Sequence, residues 1–159
     1  MSSNMFDYLT HSCQDNNIQT AAGDGELEAV KAFIAKGVNV NDRDSNGYSA
    51  LHAASSYGYP EIVQYLLDNG ADAVIRDSDG DSPLHMCEFP ACAKLLIEHG
   101  ASPEDINCEG KSCVRYAFEE EFNDMLEFYI YNKVLEQWIN ELGEQRKKEL
   151  EDYLSNYNE

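Results

Sequence analysis

Two histidines are the side chains in this sequence best suited to acid–base chemistry. His52 and His85 lie 33 residues apart, and each directly follows a leucine. Imidazole has an ordinary pKa close to neutral, which suits it to proton transfer. The recurrence of a Leu-His pair at this spacing, however, indicates one position of a repeated unit rather than a catalytic pair.

Metal binding is the second chemistry to consider, because four cysteines follow the second histidine. Cys87 lies two residues after His85, and Cys92, Cys108 and Cys113 lie further along the chain. A zinc site would show two closely spaced cysteine pairs, or a cysteine pair with a histidine pair, and this spacing shows neither. We expect small buried thiols and neither a metal nor a cofactor, with a thiol- or metal-responsive regulator as a minor alternative.

The sequence also lacks the motifs of common enzyme active sites. It contains no nucleophile motif, glycine-rich phosphate loop or metalloprotease signature. Residues 22–25, Ala-Gly-Asp-Gly, follow a predicted helix instead of a strand, so their amides would not face a phosphate. The three glutamates at 119–121 lack the apolar setting that acid–base carboxyl groups need. We therefore predict that the protein is not an enzyme.

The composition indicates one strongly acidic domain. The chain has 159 residues, 43% of them hydrophobic, which suffices for a core without disulfides or metals. Acidic residues number 30 against 11 basic ones, so the formal net charge is -19. This charge repels nucleic acids and anionic membranes, so we expect neither to bind directly. It favours a basic partner, although a merely soluble surface would look the same.

Cysteine usage and the N-terminal residues bear on the cell compartment. The five cysteines are an odd number, and the first residues, Met-Ser-Ser-Asn-Met-Phe-Asp, have neither the basic nor the apolar region of a secretory leader. No apolar run approaches the roughly 18 residues needed to span a bilayer. We expect reduced thiols and a cytoplasmic or nuclear protein, present as a monomer.

The elements that position these side chains form a repeat, which is clearest at residues 44–76. A turn at 44–47 precedes a helix that contains His52, and a second helix begins near Pro60, where a first-turn proline is tolerated. Asn69 and Gly70 then end the second helix. Within that helix one apolar stripe forms the buried face, and it consists of Ile62, Val63, Leu66 and Leu67.

Three further units follow the same pattern with changes. Residues 77–106 match at +33 around His85 but only at +30 from Pro90 onward, so three residues are missing and we predict a shortened inner helix. Residues 14–43 form a first, more polar unit, and residues 107–130 form a degenerate last one. We predict an N-terminal extension at 1–13 and a C-terminal helical cap with an acidic tail at 131–159.

These units resemble the ankyrin-repeat family, in particular small stand-alone members from fungi and other eukaryotes. The resemblance rests on Asp44-x-x-Gly47, Leu51-His52-Ala-Ala54, Ile62-Val63, Leu66-Leu67 and Asn69-Gly-Ala-Asp72. It implies an all-α solenoid of about four helix-turn-helix repeats that binds proteins through turn tips and inner helices, without catalysis. It also implies that His52 and His85 hydrogen-bond backbone between adjacent turns.

The family's contact positions, transferred to this sequence, predict a partner-binding surface on repeats two to four. The third repeat is the most acidic, with seven acidic residues and one lysine in 77–106. We expect a basic protein segment to bind there, and one form of this function is a chaperone-like role for a basic client such as a ribosomal protein. The alternative is an adapter that uses the C-terminal helix, residues 144–157, for a second protein. The predicted contacts are Tyr48, Tyr57, Arg76, Asp79, Asp81, Glu88, Phe89, Glu109 and Lys111.

Overall fold

The computed structural model describes residues 17–132 and the single positions 148, 152 and 155. Within these residues the chain is all α-helical, and its only extended pairings are two isolated bridges, Arg43 with Ser49 and Ile106 with Ser112. The helices are α1 Ile18–Gly23, α2 Leu27–Ala35, α3 Ala50–Tyr57, α4 Pro60–Asp68, α5 Pro90–Glu98, α6 Cys113–Glu119 and α7 Asn123–Tyr131. The all-α repeat solenoid predicted from the sequence is confirmed.

The second repeat shows why these residues form helix pairs. The side chain of Ser49 caps α3 by accepting a hydrogen bond from the backbone N–H of His52 at 3.3 Å. Gly58 ends α3 with a left-handed φ of 77°, a conformation that costs other residues steric strain. Pro60 then begins α4, since the first helical residue needs no N–H partner.

The hydrophobic core lies between an inner and an outer row of helices. In the inner row α1 packs on α3, and in the outer row α2, α4, α5 and α7 follow one another. The apolar stripe of α4 is buried as its periodicity predicts, with Val63 and Leu66 fully inaccessible. Small residues such as Ala50 and Ala54 fill the centre of the inner row, which allows close helix approach.

The third repeat has a turn where the other repeats have an inner helix. Residues 83–86 form this turn, closed by the N–H of His85 donating to the carbonyl of Ser82 at 3.0 Å. Only seven residues separate Ser82 from Pro90, whereas ten separate Ser49 from Pro60. We predicted a shortened helix, and the shortening is more severe: the chain must return to the outer row before a second helical turn can form.

Hydrogen bonds between successive turns hold the repeats in register. Arg43 donates to the carbonyl of Arg76 at 3.1 Å, and Arg76 donates to the carbonyl of Ile106 at 3.1 Å. In the opposite direction, the backbone N–H of Ser78 donates to Asn46 and that of Cys108 donates to Asp79. We call this set of contacts the turn ladder. It fixes where each turn tip lies relative to the next.

Several predicted segments lie outside the described residues. They are the N-terminal extension at 1–13, the first residues of the first repeat, the cap beyond residue 132 and the acidic tail. Among the described residues, none of the helices is long and apolar enough to cross a membrane.

Candidate protein-binding surface

His52 is a buried structural residue that joins two repeats. Its Nε2 donates to the carbonyl of Asp81 at 2.9 Å, and its Nδ1 accepts from the backbone N–H of Ser49 at 3.2 Å. Burial lowers the pKa of the imidazole, against the opposing pull of that carbonyl and of nearby carboxylates. The neutral imidazole is therefore favoured in the folded chain. The structure confirms the prediction that His52 hydrogen-bonds backbone between adjacent turns.

His85 repeats this arrangement one unit further along. Its Nε2 donates to the carbonyl of Lys111 at 3.1 Å, while Nδ1 lies 3.2 Å from the N–H of Ser82 and 3.3 Å from the sulfur of Cys113. Burial lowers the pKa of this ring as well. Both ring nitrogens are engaged by the fold, so neither histidine presents a base to a substrate.

Three of the described cysteines are buried and one is not. Burial raises the pKa of Cys113 to about 12, which keeps it a thiol. Cys87 and Cys92 are also inaccessible, but Cys108 is exposed at a turn tip instead of buried as expected. Within residues 17–132, no three His, Cys, Asp or Glu side chains gather in a way that could hold a metal ion.

Asp81 was predicted to contact a partner, but the structure makes it part of the fold. It is only 6% exposed, and its carboxylate accepts a hydrogen bond from the side chain of Asn107 at 2.8 Å. Its carbonyl receives the His52 ring. A partner cannot reach this carboxylate, and a lysine at position 81 would bury an unpaired charge. Position 81 aligns with the accessible Tyr48, which is why sequence alignment of the repeats misplaced it.

Two predicted cationic contacts are held by neighbouring groups. Arg76 donates to the carbonyls of Gly80 and Ile106 and lies 3.6 Å from a carboxylate oxygen of Asp105. Lys111 pairs with Glu109 at 2.8 Å and with Glu119 at 2.9 Å, and these hydrogen bonds raise its pKa. Arg76, Glu109 and Lys111 thus remain near the surface, but their charges are already paired.

The other predicted contacts are accessible, and three of them are aromatic, of which Tyr57 and Phe89 are the more exposed. Tyr57 is 64% exposed and Phe89 is 40% exposed. The Phe89 ring covers Gly58, where a Cβ would lie 2.7 Å from its carbons, so this glycine is needed for the ring to pack. Asp79 and Glu88 are exposed as well. Gly58 directly follows Tyr57, so the Phe89 ring packs on the backbone next to the residue that carries the Tyr57 side chain.

A cavity of about 480 Å³ lies where the loop before α5 meets the loop between α6 and α7. We call it the loop pocket. Four of its residues are carboxylates without an ion pair in the described part of the chain, and no lysine or arginine is among the described residues that line it. These residues are Glu88, Glu120, Glu121, Phe122, Asn123 and Asp124. Of the nine contacts predicted from the sequence, only Glu88 lines this pocket, because the fold, not the spacing, brings the second loop beside it.

A second cavity, of about 360 Å³, lies between the inner helices α1 and α3. We call it the tyrosine pocket. Tyr48 and Tyr57 form part of its wall, together with Gly23, Asp24 and Asp44. Sequence analysis identified the two tyrosines but not the groups contributed by the first repeat. The two pockets define an acidic, partly aromatic surface on a helical repeat solenoid.

Comparison with known families agrees with this architecture. A family model described as "Ankyrin repeats (many copies)" matches residues 33–87, and one described as "Ankyrin repeat" matches residues 79–108. Residues 33–108 of this chain are thus ankyrin repeats. Ankyrin repeats are generally non-catalytic modules that bind other proteins, so protein binding is the class of function that the fold supports.

Individual relatives match over short segments. The chain is 42% identical over 48 residues to "Ankyrin repeat-containing protein P1E11.10" of Schizosaccharomyces pombe, which is 30% of this chain and 23% of that protein. It is 44% identical over 41 residues to "Protein phosphatase 1 regulatory subunit 27" of Mus musculus and of Homo sapiens, which is 26% of this chain and 27% of each relative. The matches thus span about a quarter of these relatives and do not distinguish a fungal from another origin.

Proposed function

We propose that this chain captures a basic segment of a partner protein on its acidic surface, without catalysis. The observation that supports the proposal is the loop pocket, where Glu88, Glu120, Glu121 and Asp124 surround one cavity and no cation of the described chain neutralises them. Lysine and arginine side chains would supply the missing charge. The exposed ring of Phe89, next to Glu88, offers apolar area for the same segment.

Shielding of a basic client is the physiological form of this function that we favour. A chaperone-like module would cover the positive charge of a protein such as a ribosomal protein until its assembly. The net charge of -19 supports fast encounter with such a client. The relatives named as phosphatase regulatory subunits support a protein-binding role for the matched segment and are too short a match to suggest the same partner.

A defined peptide tests this proposal. The probe is a fluorescent 12-residue peptide in which arginine and lysine alternate with leucine and phenylalanine, and a glutamate-for-cation version is its control. We expect the basic peptide to bind and the acidic one not to, and affinity to fall steeply between low and physiological salt. Fluorescence anisotropy measures both.

Paired charge reversals distinguish specific binding at the loop pocket from general attraction by the net charge of the protein. Glu88→Lys with Asp124→Lys should weaken peptide binding roughly tenfold, about 1.4 kcal/mol. Glu61→Lys with Glu98→Lys changes the net charge equally on exposed positions of the outer helices and should leave affinity within about twofold. Equal losses in the two double variants would reduce the effect to general attraction and contradict a specific site.

A further inference from the structure

The tyrosine pocket combines aromatic walls with carboxylates, and the residues of 17–132 that line it include no lysine or arginine. Tyr57 is the last residue of α3, and Tyr48 lies in the turn before that helix. Asp24 follows the end of α1, and Asp44 belongs to the same turn as Tyr48. Its volume of about 360 Å³ is at the small end of the range for ligand sites, about 300–1,000 Å³. A single side chain of a partner would fit such a volume.

The two rings are positioned before any ligand arrives. Tyr48 stacks on the buried ring of His52, with centroids 5.2 Å apart and an interplanar angle of 27°. Tyr57 is held differently: its ring carbons lie 3.5 Å from the place where a Cβ on Gly23 would be, so it rests against that glycine. Because Tyr57 is still 64% exposed, most of its ring is available to a ligand.

The carboxylates of the pocket have unused acceptor capacity. The Oδ1 atom of Asp44 accepts from the N–H groups of Asn46 and Tyr48, at 2.8 and 2.9 Å, which fixes the carboxylate and leaves its second oxygen. Asp24 has no ion pair among the described residues. By contrast, Tyr65 on α4 already has the ammonium of Lys31 over its ring at 5.8 Å. No described residue supplies such a cation to the tyrosine pocket.

We infer that the tyrosine pocket binds an arginine side chain of the partner protein. A guanidinium is planar, stacks on aromatic faces and pairs with carboxylates through several N–H donors, whereas an ammonium is a compact point charge. The tyrosine pocket offers two aromatic rings for stacking and two carboxylates for pairing, which suits a guanidinium better than an ammonium. The inference rests on the proposed function, because it identifies one subsite of the same acidic surface.

Amides of single amino acids test the subsite without the rest of the partner. Nα-acetyl-arginine methylamide is titrated into the ¹⁵N-labelled full chain, with the citrulline analogue as an uncharged isostere and the lysine analogue as a second cation. We expect saturable NMR shifts at the amides of Gly23, Asp24 and Tyr57 for the arginine compound. Affinity should be at least fivefold lower for the other two. Equal affinity for lysine, or shifts spread over all acidic surfaces, would overturn the inference.

Matched variants complete the test. Tyr57→Ala and Asp24→Asn should each weaken the arginine compound several-fold. Ile106→Ala removes a similarly exposed apolar side chain, at 62% exposure, and Glu61→Gln removes an exposed charge; neither lines the pocket, so neither should change binding. Melting curves verify that all four variants fold.

The two proposals fail in distinguishable ways. If the basic peptide depends on Glu88 and Asp124 but the arginine compound gives no saturable shift, the subsite is excluded and the proposed function stands. If the arginine compound binds and depends on Tyr57 while the basic peptide does not bind, the subsite stands and capture of a basic segment is excluded.

Discussion

Glu121 is the residue at which local stability and the proposed function conflict. Among the described non-glycine residues it alone has a positive φ, 59°. It occupies the place after an inner helix that Gly58 holds, with φ 77°, in the second repeat. The left-handed conformation costs a non-glycine residue about 1 kcal/mol. The strained residue nevertheless contributes its carboxylate to the loop pocket.

Glu121→Gly should therefore stabilise the fold and weaken binding of the basic peptide. We expect a gain of about 0.5–1 kcal/mol in the free energy of unfolding, since glycine adopts this φ without strain. Urea unfolding measures it. Glu120→Gly is the matched control. Because Glu120 has an ordinary φ of -90°, this substitution should lower the free energy of unfolding. If Glu121→Gly instead lowers the free energy of unfolding, contacts of the Glu121 side chain stabilise the fold by more than its backbone conformation costs.

His52 and His85 should make the fold sensitive to mild acid. Burial lowers both pKa values in the folded chain, so the unfolded chain binds more protons below the ordinary imidazole pKa of 6.5. Their contribution to stability is complete above pH 6.5 and is lost as the pH falls toward 5.5, where carboxylates are still ionised. We expect the urea midpoint to decrease over this window.

Comparison of variants assigns that pH dependence. His52→Gln should lower stability but also reduce the slope between pH 7.5 and 5.5, because one of the two buried imidazoles is gone. His99→Gln is the control at an exposed position, where the ring hydrogen-bonds the carbonyl of Leu95, and should keep the slope. An unchanged slope in His52→Gln would mean that other groups take up the protons.

At the level of elements, the turn at residues 83–86 explains why the third repeat differs. The capping contacts of Ser82 and His85 are kept, although there is no helix to cap. Pro83 is not the cause, because it stands at a first helical position where proline is tolerated. The missing three residues are the cause, since they leave too little chain for both a helix and the return to α5.

Restoring the three residues should restore the helix. Insertion of Ser-Tyr-Gly after Glu88 gives the third repeat the same inner-helix length as the second. We expect more negative ellipticity at 222 nm and weaker binding of the basic peptide, because the longer helix would displace Glu88 from the loop pocket. Insertion of the same residues after Glu109, at a turn tip, is the control and should add no helix. Unchanged ellipticity in the first variant would show that the three missing residues are not the reason why the third repeat has no inner helix.

The elements could be predicted from sequence better than the binding surface could. Spacing predicted the helix pairs and the loss of three residues, and the family resemblance implied the roles of His52 and His85, because repeat position determines each of them. Accessibility is different: Asp81 and Tyr48 share a repeat position, yet one is buried and the other half-exposed. That difference depends on Asn107, which only the stacking of the next turn brings within 2.8 Å.

Across the whole molecule, negative charge and aromatic rings occupy adjoining places. The ring of Phe89 lies over Gly58, the residue that follows Tyr57 of the tyrosine pocket, and Phe89 itself follows Glu88 of the loop pocket. Under the proposed function, charge at long range would bring a partner close, and the fixed rings would select which side chain enters.

The turn ladder also makes the order of the repeats non-interchangeable. Arg43 and Arg76, the last residues of the first and second repeats, each donate forward to the next turn, but the last residue of the third repeat is Ile106, which has no donor in its side chain. In the fourth repeat, Arg115 stands where the second and third repeats have the bridging imidazole. A shuffled gene that moved the third repeat to the second place would lose the arginine contact at the new junction, and one that moved the fourth repeat inward would lose the imidazole contact. The sequence therefore encodes module order as well as module shape.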